Sequence, residues 1–144
     1  MPVLNDKVLA EVKKSLANMV KPVTLKLFTQ SFECGYCEDT RLLLTELSAA
    51  HELLTLEIHQ FESDFEAVKA LGIDKIPAIA VIGEKDHGIR FYGIPAGYEF
   101  SSLLSAILTV STGITKLKED TKSFLANLEK HIHLQVFVTP TCPY

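Results

Sequence analysis

The residues best suited to chemistry are two cysteines three positions apart, in the stretch Cys34-Gly35-Tyr36-Cys37. At the start of a helix, two thiols at this spacing can close a disulfide with little rearrangement. Unpaired N–H groups and the helix dipole favour the thiolate of the first cysteine there. The motif therefore predicts dithiol–disulfide exchange, with Cys34 as the exposed nucleophile and Cys37 as the resolving cysteine. We expect Gly35 and Tyr36 to tune the redox potential.

Two other interpretations of the cysteine pair stay open. The pair could be half of a zinc site, but zinc takes four ligands. The sequence has no second Cys-x-x-Cys motif, and His51, His59 and His87 are scattered. The two cysteines could also be inert core residues. Their place between a predicted strand and a predicted helix favours redox chemistry, so we expect no metal.

Hydrophobic periodicity predicts the elements that position this motif. A first helix covers residues 4–20, with Asn5 or Asp6 as its cap, and ends before Pro22. Further helices are predicted after Cys37 and over 62–73 and 98–110, and strands over 23–29, 53–61, 78–82 and 88–93. The first two strands should be parallel through a helical crossover, and the fourth antiparallel to the third. The order predicts an α/β fold, a mixed four-stranded sheet flanked by helices, over residues 1–112.

Residues 113–144 repeat the beginning of this unit. "LKLFTQSFEC" and "LQVFVTPTC" align, so that Cys142 follows Cys34 by 108 residues. The repeat predicts a helix near 115–132 and a strand over 134–139, the first elements of a truncated second unit. Cys142 is then a third candidate catalytic cysteine.

Bulk composition excludes several classes of protein. The 144 residues carry a net charge of -4 and are 47% hydrophobic, which supports one compact domain. The charge does not suggest nucleic-acid binding, and no apolar run reaches the length of a membrane span. Three cysteines do not make a disulfide framework. We therefore predict a cytoplasmic protein with no membrane partner.

The chain resembles the protein disulfide oxidoreductases built from two tandem thioredoxin-fold units, also described as glutaredoxin-like proteins. The resemblance covers all 144 residues and rests on the leading helix, "CGYC", "IPA", "GIRFYGIPAGYEF" and "VFVTPTCPY". A weaker resemblance, through "GIPAGYEF", is to the N-terminal part of the flavoprotein component of an alkyl hydroperoxide reductase. The first family implies a thioredoxin-like fold and activity on protein disulfides.

The resemblance also implies roles for particular residues. Cys34 and Cys37 become the nucleophile and the resolver of the first unit, and Cys142 the nucleophile of the second. Pro77 becomes a cis-proline facing the disulfide, and the backbone of Ile76 pairs with an extended substrate segment. Ile76 and Pro77, together with Gly35 and Tyr36, are thus the expected substrate-binding residues. Without the resemblance, Pro77 could be an ordinary proline at the start of a strand.

Other expectations concern partners and a proton acceptor. We expect no bound cofactor beyond the Cys34–Cys37 disulfide. Expected partners are disulfide-containing proteins, a thioredoxin-reductase-like flavoprotein and a second copy of the chain, bound through residues 113–144. Glu57 could accept a proton from Cys37, as buried acids do in such folds, or it could be a solvent-facing glutamate.

Three functions stay open at this stage. The chain could be a thiol–disulfide oxidoreductase, an electron-relay domain between a flavin disulfide reductase and a peroxidase-type partner, or a non-catalytic binding module. Three explanations account for the end at Tyr144 inside a Cys-Pro-Tyr motif. It could be a fragment boundary, a UGA codon misread where selenocysteine belongs, or a frameshift. The next codon of the gene decides among them.

Overall fold

The structure is a computed structural model that describes residues 2–143. Its helices are α1 (Asp6–Leu16), α2 (Cys37–Ser48), α3 (Phe65–Ala70), α4 (Tyr98–Thr112) and α5 (Glu119–Ala126). Its strands are β1 (Val23–Thr29), β2 (Leu54–Gln60), β3 (Ala78–Ile82) and β4 (Asp86–Tyr92). The four predicted strands are therefore present, with ends displaced by two residues or fewer.

The strands form a single mixed sheet in the order β2-β1-β3-β4. β1 is parallel to β2, because α2 carries the chain back across the sheet between them. β3 is antiparallel to both β1 and β4. This confirms the predicted α/β fold with a mixed four-stranded sheet.

Alternation along β1 and β3 creates a core on each face of the sheet. Leu25 and Leu27 of β1, with Ile79 of β3, belong to the larger core, which α1, α2 and α4 cover. Phe28 and Ala78 point to the other face and pack with Ile73 and residues of α3 and its flanking loops. Because successive strand residues face opposite sides, the sheet is buried on both faces at its centre.

Capping and one buried hydroxyl fix how the first and fourth helices meet. Asn5 is the N-cap of α1 and accepts a hydrogen bond from the Val8 N–H at 2.9 Å. At the end of α4, the buried Ser111 Oγ accepts from the N–H groups of Val20 and Lys21 at 2.9 and 3.1 Å. The same hydroxyl donates to the Lys21 carbonyl at 2.7 Å. Ser111 thus ties the α1–β1 connection to the end of α4.

The C-terminal segment differs from the prediction in two ways. The helix predicted near 115–132 is limited to α5, and residues 134–139 do not form a strand. A single strand has no neighbour to accept and donate its backbone hydrogen bonds, so the apolar pattern alone does not produce one. The division into units at residues 112 and 113 stays a prediction, although Gly113 ends α4 in a left-handed conformation.

Arg90 of β4 makes the most extensive ion pair of the fold. Its guanidinium donates to both carboxylate oxygens of Asp86, at 2.9 and 2.6 Å. Hydrogen bonding by this guanidinium lowers the pKa of Asp86 from 3.8 to about 2. The ionised carboxylate is therefore more stable in the folded chain than in the unfolded one.

We predict that Ser111→Ala destabilises the chain by about 1–3 kcal/mol, because it leaves two backbone N–H groups and one carbonyl without a partner. Urea unfolding followed by circular dichroism measures the change. The matched control is Ser105→Ala on the exposed side of the same helix, with an expected change within about 0.5 kcal/mol. Equal effects of both substitutions would contradict the role given to Ser111.

We predict that Asp86→Asn lowers stability by about 1–2 kcal/mol at neutral pH, a figure reduced for the partial exposure of the carboxylate. The folded pKa lies below the ordinary 3.8, so this stabilisation is fully present above that value. It is lost as the pH falls through about 2. The difference in unfolding free energy between the two proteins should therefore shrink below pH 4. Glu84→Gln, which breaks the exposed Lys21–Glu84 pair, is the control and should have little effect. A constant difference across the acid range would refute the linkage.

Candidate functional site

Cys34 and Cys37 form a disulfide at the start of α2. Their Cα atoms are 5.5 Å apart, within the range that a disulfide requires. The two cysteines are not equally accessible: Cys37 is 1% exposed, whereas Cys34 is only partly buried. An attacking group from solvent therefore reaches Cys34 more easily than Cys37. This order of burial is the one that a nucleophile and a resolver need.

The first turn of α2 holds the disulfide in place. The helix begins at Cys37, so residues 34–36 form a turn before it and the pair does not lie wholly within the helix. The Tyr36 carbonyl accepts from the backbone N–H of Thr40 at 3.0 Å and from its hydroxyl at 2.6 Å. Thr40 is fully buried, whereas Tyr36 is 61% exposed. The turn is thus fixed from inside while Gly35 and Tyr36 face solvent.

Charges beside the disulfide are partly neutralised within α2. Glu38 lies in the first helical turn, where its carboxylate would oppose a thiolate. Arg41 donates to both of its oxygens, at 2.9 and 2.6 Å, and this hydrogen bonding lowers the pKa of Glu38. Glu33 precedes Cys34 with φ of 48°, a left-handed conformation that is uncommon for glutamate. Backbone strain is therefore concentrated at the entry to the disulfide turn.

Ile76 and Pro77 lie at the same edge of the sheet as the disulfide. The peptide between them is cis, as the resemblance implied. Antiparallel pairing places Ala78, the next residue, opposite Phe28 near the end of β1, and the disulfide turn follows that end. Pro77 is buried and its carbonyl accepts from the Gly93 N–H at 2.9 Å, while Ile76 is partly exposed. The structure thus brings the predicted substrate-binding residues to one end of the sheet.

Glu57 is a surface residue, so the expectation of a buried proton acceptor is wrong and its alternative, a solvent-facing glutamate, is correct. It lies on the edge strand β2, exposed, with its Oε1 2.9 Å from His59 Nε2 and 3.7 Å from Lys26 Nζ. Fully buried Phe28 occupies the adjacent position of the sheet and stacks on His59, with ring centroids 5.0 Å apart. An apolar ring therefore stands beside β2 on the face where a buried Glu57 would have to lie.

Cys142 lies outside the disulfide site. It is partly buried and lines a cavity of about 410 Å³ with Tyr98, Glu99 and Val138, among others. None of the lining residues belongs to the disulfide turn or to the loop before β3. Burial raises the pKa of Glu99. The structure therefore does not bring the third predicted catalytic cysteine together with the first two.

Metal-binding clusters and membrane-spanning helices are both absent from residues 2–143. In that part of the chain, no group of three or more His, Cys, Asp or Glu side chains is placed to hold a metal ion. No helix within the same residues has the length and apolar character needed to cross a membrane.

Sequence reasoning missed three residues that shape the site. Thr40 fixes the disulfide turn from a buried position, Glu33 carries the backbone strain, and Arg90 reaches from β4 to the α3–β3 connection. Thr40 lies three residues after Cys37, and a hydroxyl at that spacing is a usable signal for a bonded helix start. No sequence signal marks Glu33 or Arg90.

Comparison with curated proteins finds relatives that are much longer than this chain. The alkyl hydroperoxide reductase AhpF of Staphylococcus aureus is 32% identical over 105 residues, 73% of this chain and 18% of the relative. An NADH dehydrogenase of Ferdinandcohnia aciditolerans is 27% identical over 140 residues, 97% of this chain and 24% of the relative. The chain thus spans about a fifth of the first relative and a quarter of the second. No family model matches the chain.

Comparison with solved structures adds the fold. A protein disulfide oxidoreductase from Aeropyrum pernix matches with a TM-score of 0.88 and 30% identity, over 99% of this chain and 63% of that one. An N-terminal domain of the alkylhydroperoxide reductase AhpF from Enterococcus faecalis matches with a TM-score of 0.76 and 25% identity. That match covers 85% of this chain and 60% of that one. The chain therefore has the thioredoxin-like fold of thiol–disulfide oxidoreductases, with a Cys34–Cys37 disulfide at its candidate site.

Proposed function

We propose that the chain exchanges disulfides with protein substrates through Cys34 and Cys37. The observation that carries the proposal is the unequal burial of two cysteines already joined at a helix start. In the reducing direction, the Cys34 thiolate attacks a substrate disulfide. A mixed disulfide forms, and one substrate thiolate leaves.

The second step needs only Cys37. Its thiolate attacks the Cys34 sulfur, which releases the second substrate thiolate and closes the Cys34–Cys37 disulfide. Two electrons pass from the dithiol to the substrate, and the reverse sequence oxidises a substrate dithiol. Which direction operates depends on the reduction potential of the pair relative to its surroundings. The proposal places the chain in the cytoplasm, where thiols are kept reduced.

Similarity to the alkyl hydroperoxide reductase AhpF supports a second candidate function. In that case the chain receives electrons from a thioredoxin-reductase-like flavoprotein and passes them to a peroxidase-type partner. The same two exchange steps serve both functions, so the difference lies in the partners. Reduction of the Cys34–Cys37 disulfide by such a flavoprotein and a nicotinamide cofactor would favour the relay. A non-catalytic module is less favoured, because it needs neither cysteine. A Cys34 thiol that titrates like a free cysteine would support that third function.

We predict that Cys34→Ser abolishes reduction of insulin disulfides by dithiothreitol and the protein. Cys37→Ser should lose turnover but accumulate a mixed disulfide with the substrate, because nothing resolves it. The assay uses a Cys142→Ser background, so that only the first site reports. Turbidity measures turnover, and mass spectrometry under non-reducing conditions detects the adduct. Activity that survives Cys34→Ser would show that the nucleophile is assigned wrongly.

The C-terminal segment supports the further proposal that two copies of the chain associate through residues 113–144. Its apolar side chains are largely exposed, Phe137 to 89% and Val136 to 83%, and burial against a second copy would remove them from water. We expect a dimer in analytical ultracentrifugation at micromolar concentration. Phe124→Ser with Phe137→Ser should yield monomers, whereas Phe65→Ser, an exposed aromatic outside the segment, should not. A monomeric wild-type chain would refute this proposal.

A further inference from the structure

Arg90 does not contact the disulfide, yet it is bound to the connection that leads to Pro77. Its side chain is 15% exposed. Besides the two bonds to Asp86, Nε and Nη2 donate to the Leu71 carbonyl at 3.3 and 3.2 Å. Nη1 also donates to the Ile89 carbonyl at 3.1 Å. A guanidinium held by two acceptors on its own strand has little freedom, so it holds Leu71 in turn.

Leu71 is where the connecting loop begins. It caps the C-terminal end of α3, and Gly72 follows with φ of +64°, which turns the chain toward β3. Ile73, next in the chain, is buried against Phe28. The Leu71 carbonyl is thus the first anchored point of the segment that ends in the Ile76–Pro77 peptide.

β4 and the turn after it also hold the middle and the end of this loop. The Lys75 ammonium lies 5.1 Å from the centroid of the Tyr92 ring. The Gly93 N–H donates to the Pro77 carbonyl at 2.9 Å. The Lys75 side chain is mostly exposed and the Gly93 bond is a backbone bond. Arg90 is therefore the one of these three contacts that is both buried and removable by a side-chain substitution.

We propose that Arg90 is a positioning residue, which orders residues 71–77 for the binding of an extended protein segment. The inference rests on the proposed function, in which the backbone of Ile76 pairs with the substrate. A loop that is already ordered loses less conformational entropy when it binds, so the substrate binds more tightly. A small disulfide has no extended backbone to pair, and its reaction with Cys34 does not depend on this order.

The test compares a protein substrate with a small one. We expect Arg90→Met to raise KM for insulin disulfides by about five- to tenfold, with kcat little changed. The rate with 5,5′-dithiobis(2-nitrobenzoic acid) should stay at the wild-type level. Arg90→Lys, which retains the charge beside Asp86, should restore part of the lost affinity. If Arg90→Met does not fold, Arg90→Lys carries the same comparison.

Ile107→Val is the control, because Ile107 lies in the core on the opposite face of the sheet and contributes only to stability. Urea unfolding of each variant shows how much stability it has lost. An equal rise in KM in Ile107→Val at equal loss of stability would overturn the proposal, as would parallel losses with both substrates. A wild-type chain that reduces neither substrate would instead refute the proposed function. Amide hydrogen exchange then still tests the role of Arg90: exchange in residues 72–77 should be faster in Arg90→Met, and unchanged exchange overturns it.

Discussion

The antiparallel pairing of β1 with β3 is the constraint on which the candidate site depends. It places Phe28, near the end of β1, opposite Ala78 at the start of β3. The disulfide turn follows the first of these strands and the Ile76–Pro77 peptide precedes the second. Because paired strands are about 4.8 Å apart, two segments about forty residues apart in sequence meet at one end of the sheet. A shift of register by one residue would turn Phe28 and Ala78 to the opposite faces and displace both segments.

Around this pairing, the two faces of the sheet have different tasks. The larger core, with Leu25, Leu27 and Ile79, secures α2 and buries Cys37 beneath the disulfide turn. The smaller core, with Phe28 and Ile73, supports the loop that ends at Pro77. Each side of the candidate site is therefore held by its own set of apolar contacts. The polar bonds of Thr40 and Arg90 add direction to those contacts, since apolar packing alone does not orient a turn.

Much of this arrangement could be predicted from particular residues. Alternating apolar residues located β1, and the helical spacing beyond Asn5 located α1 with its cap. These signals are local, because they arise from the period of a single element. The strand expected over 134–139 failed for the same reason. Its alternation is real, but a strand exists only with a neighbour, and the neighbour is not encoded in the pattern.

The sequence by itself determined the type of chemistry, because the identity and spacing of Cys34 and Cys37 set which bond can form. It also determined the order of the elements up to the end of α4. Only the tertiary structure decided that Cys37 is buried, that Glu57 faces solvent, and that Cys142 lies in a separate cavity. It alone joined Arg90 to Leu71 across 19 positions of sequence. Burial and long-range hydrogen bonds depend on which elements pack together, and packing is a property of the whole chain.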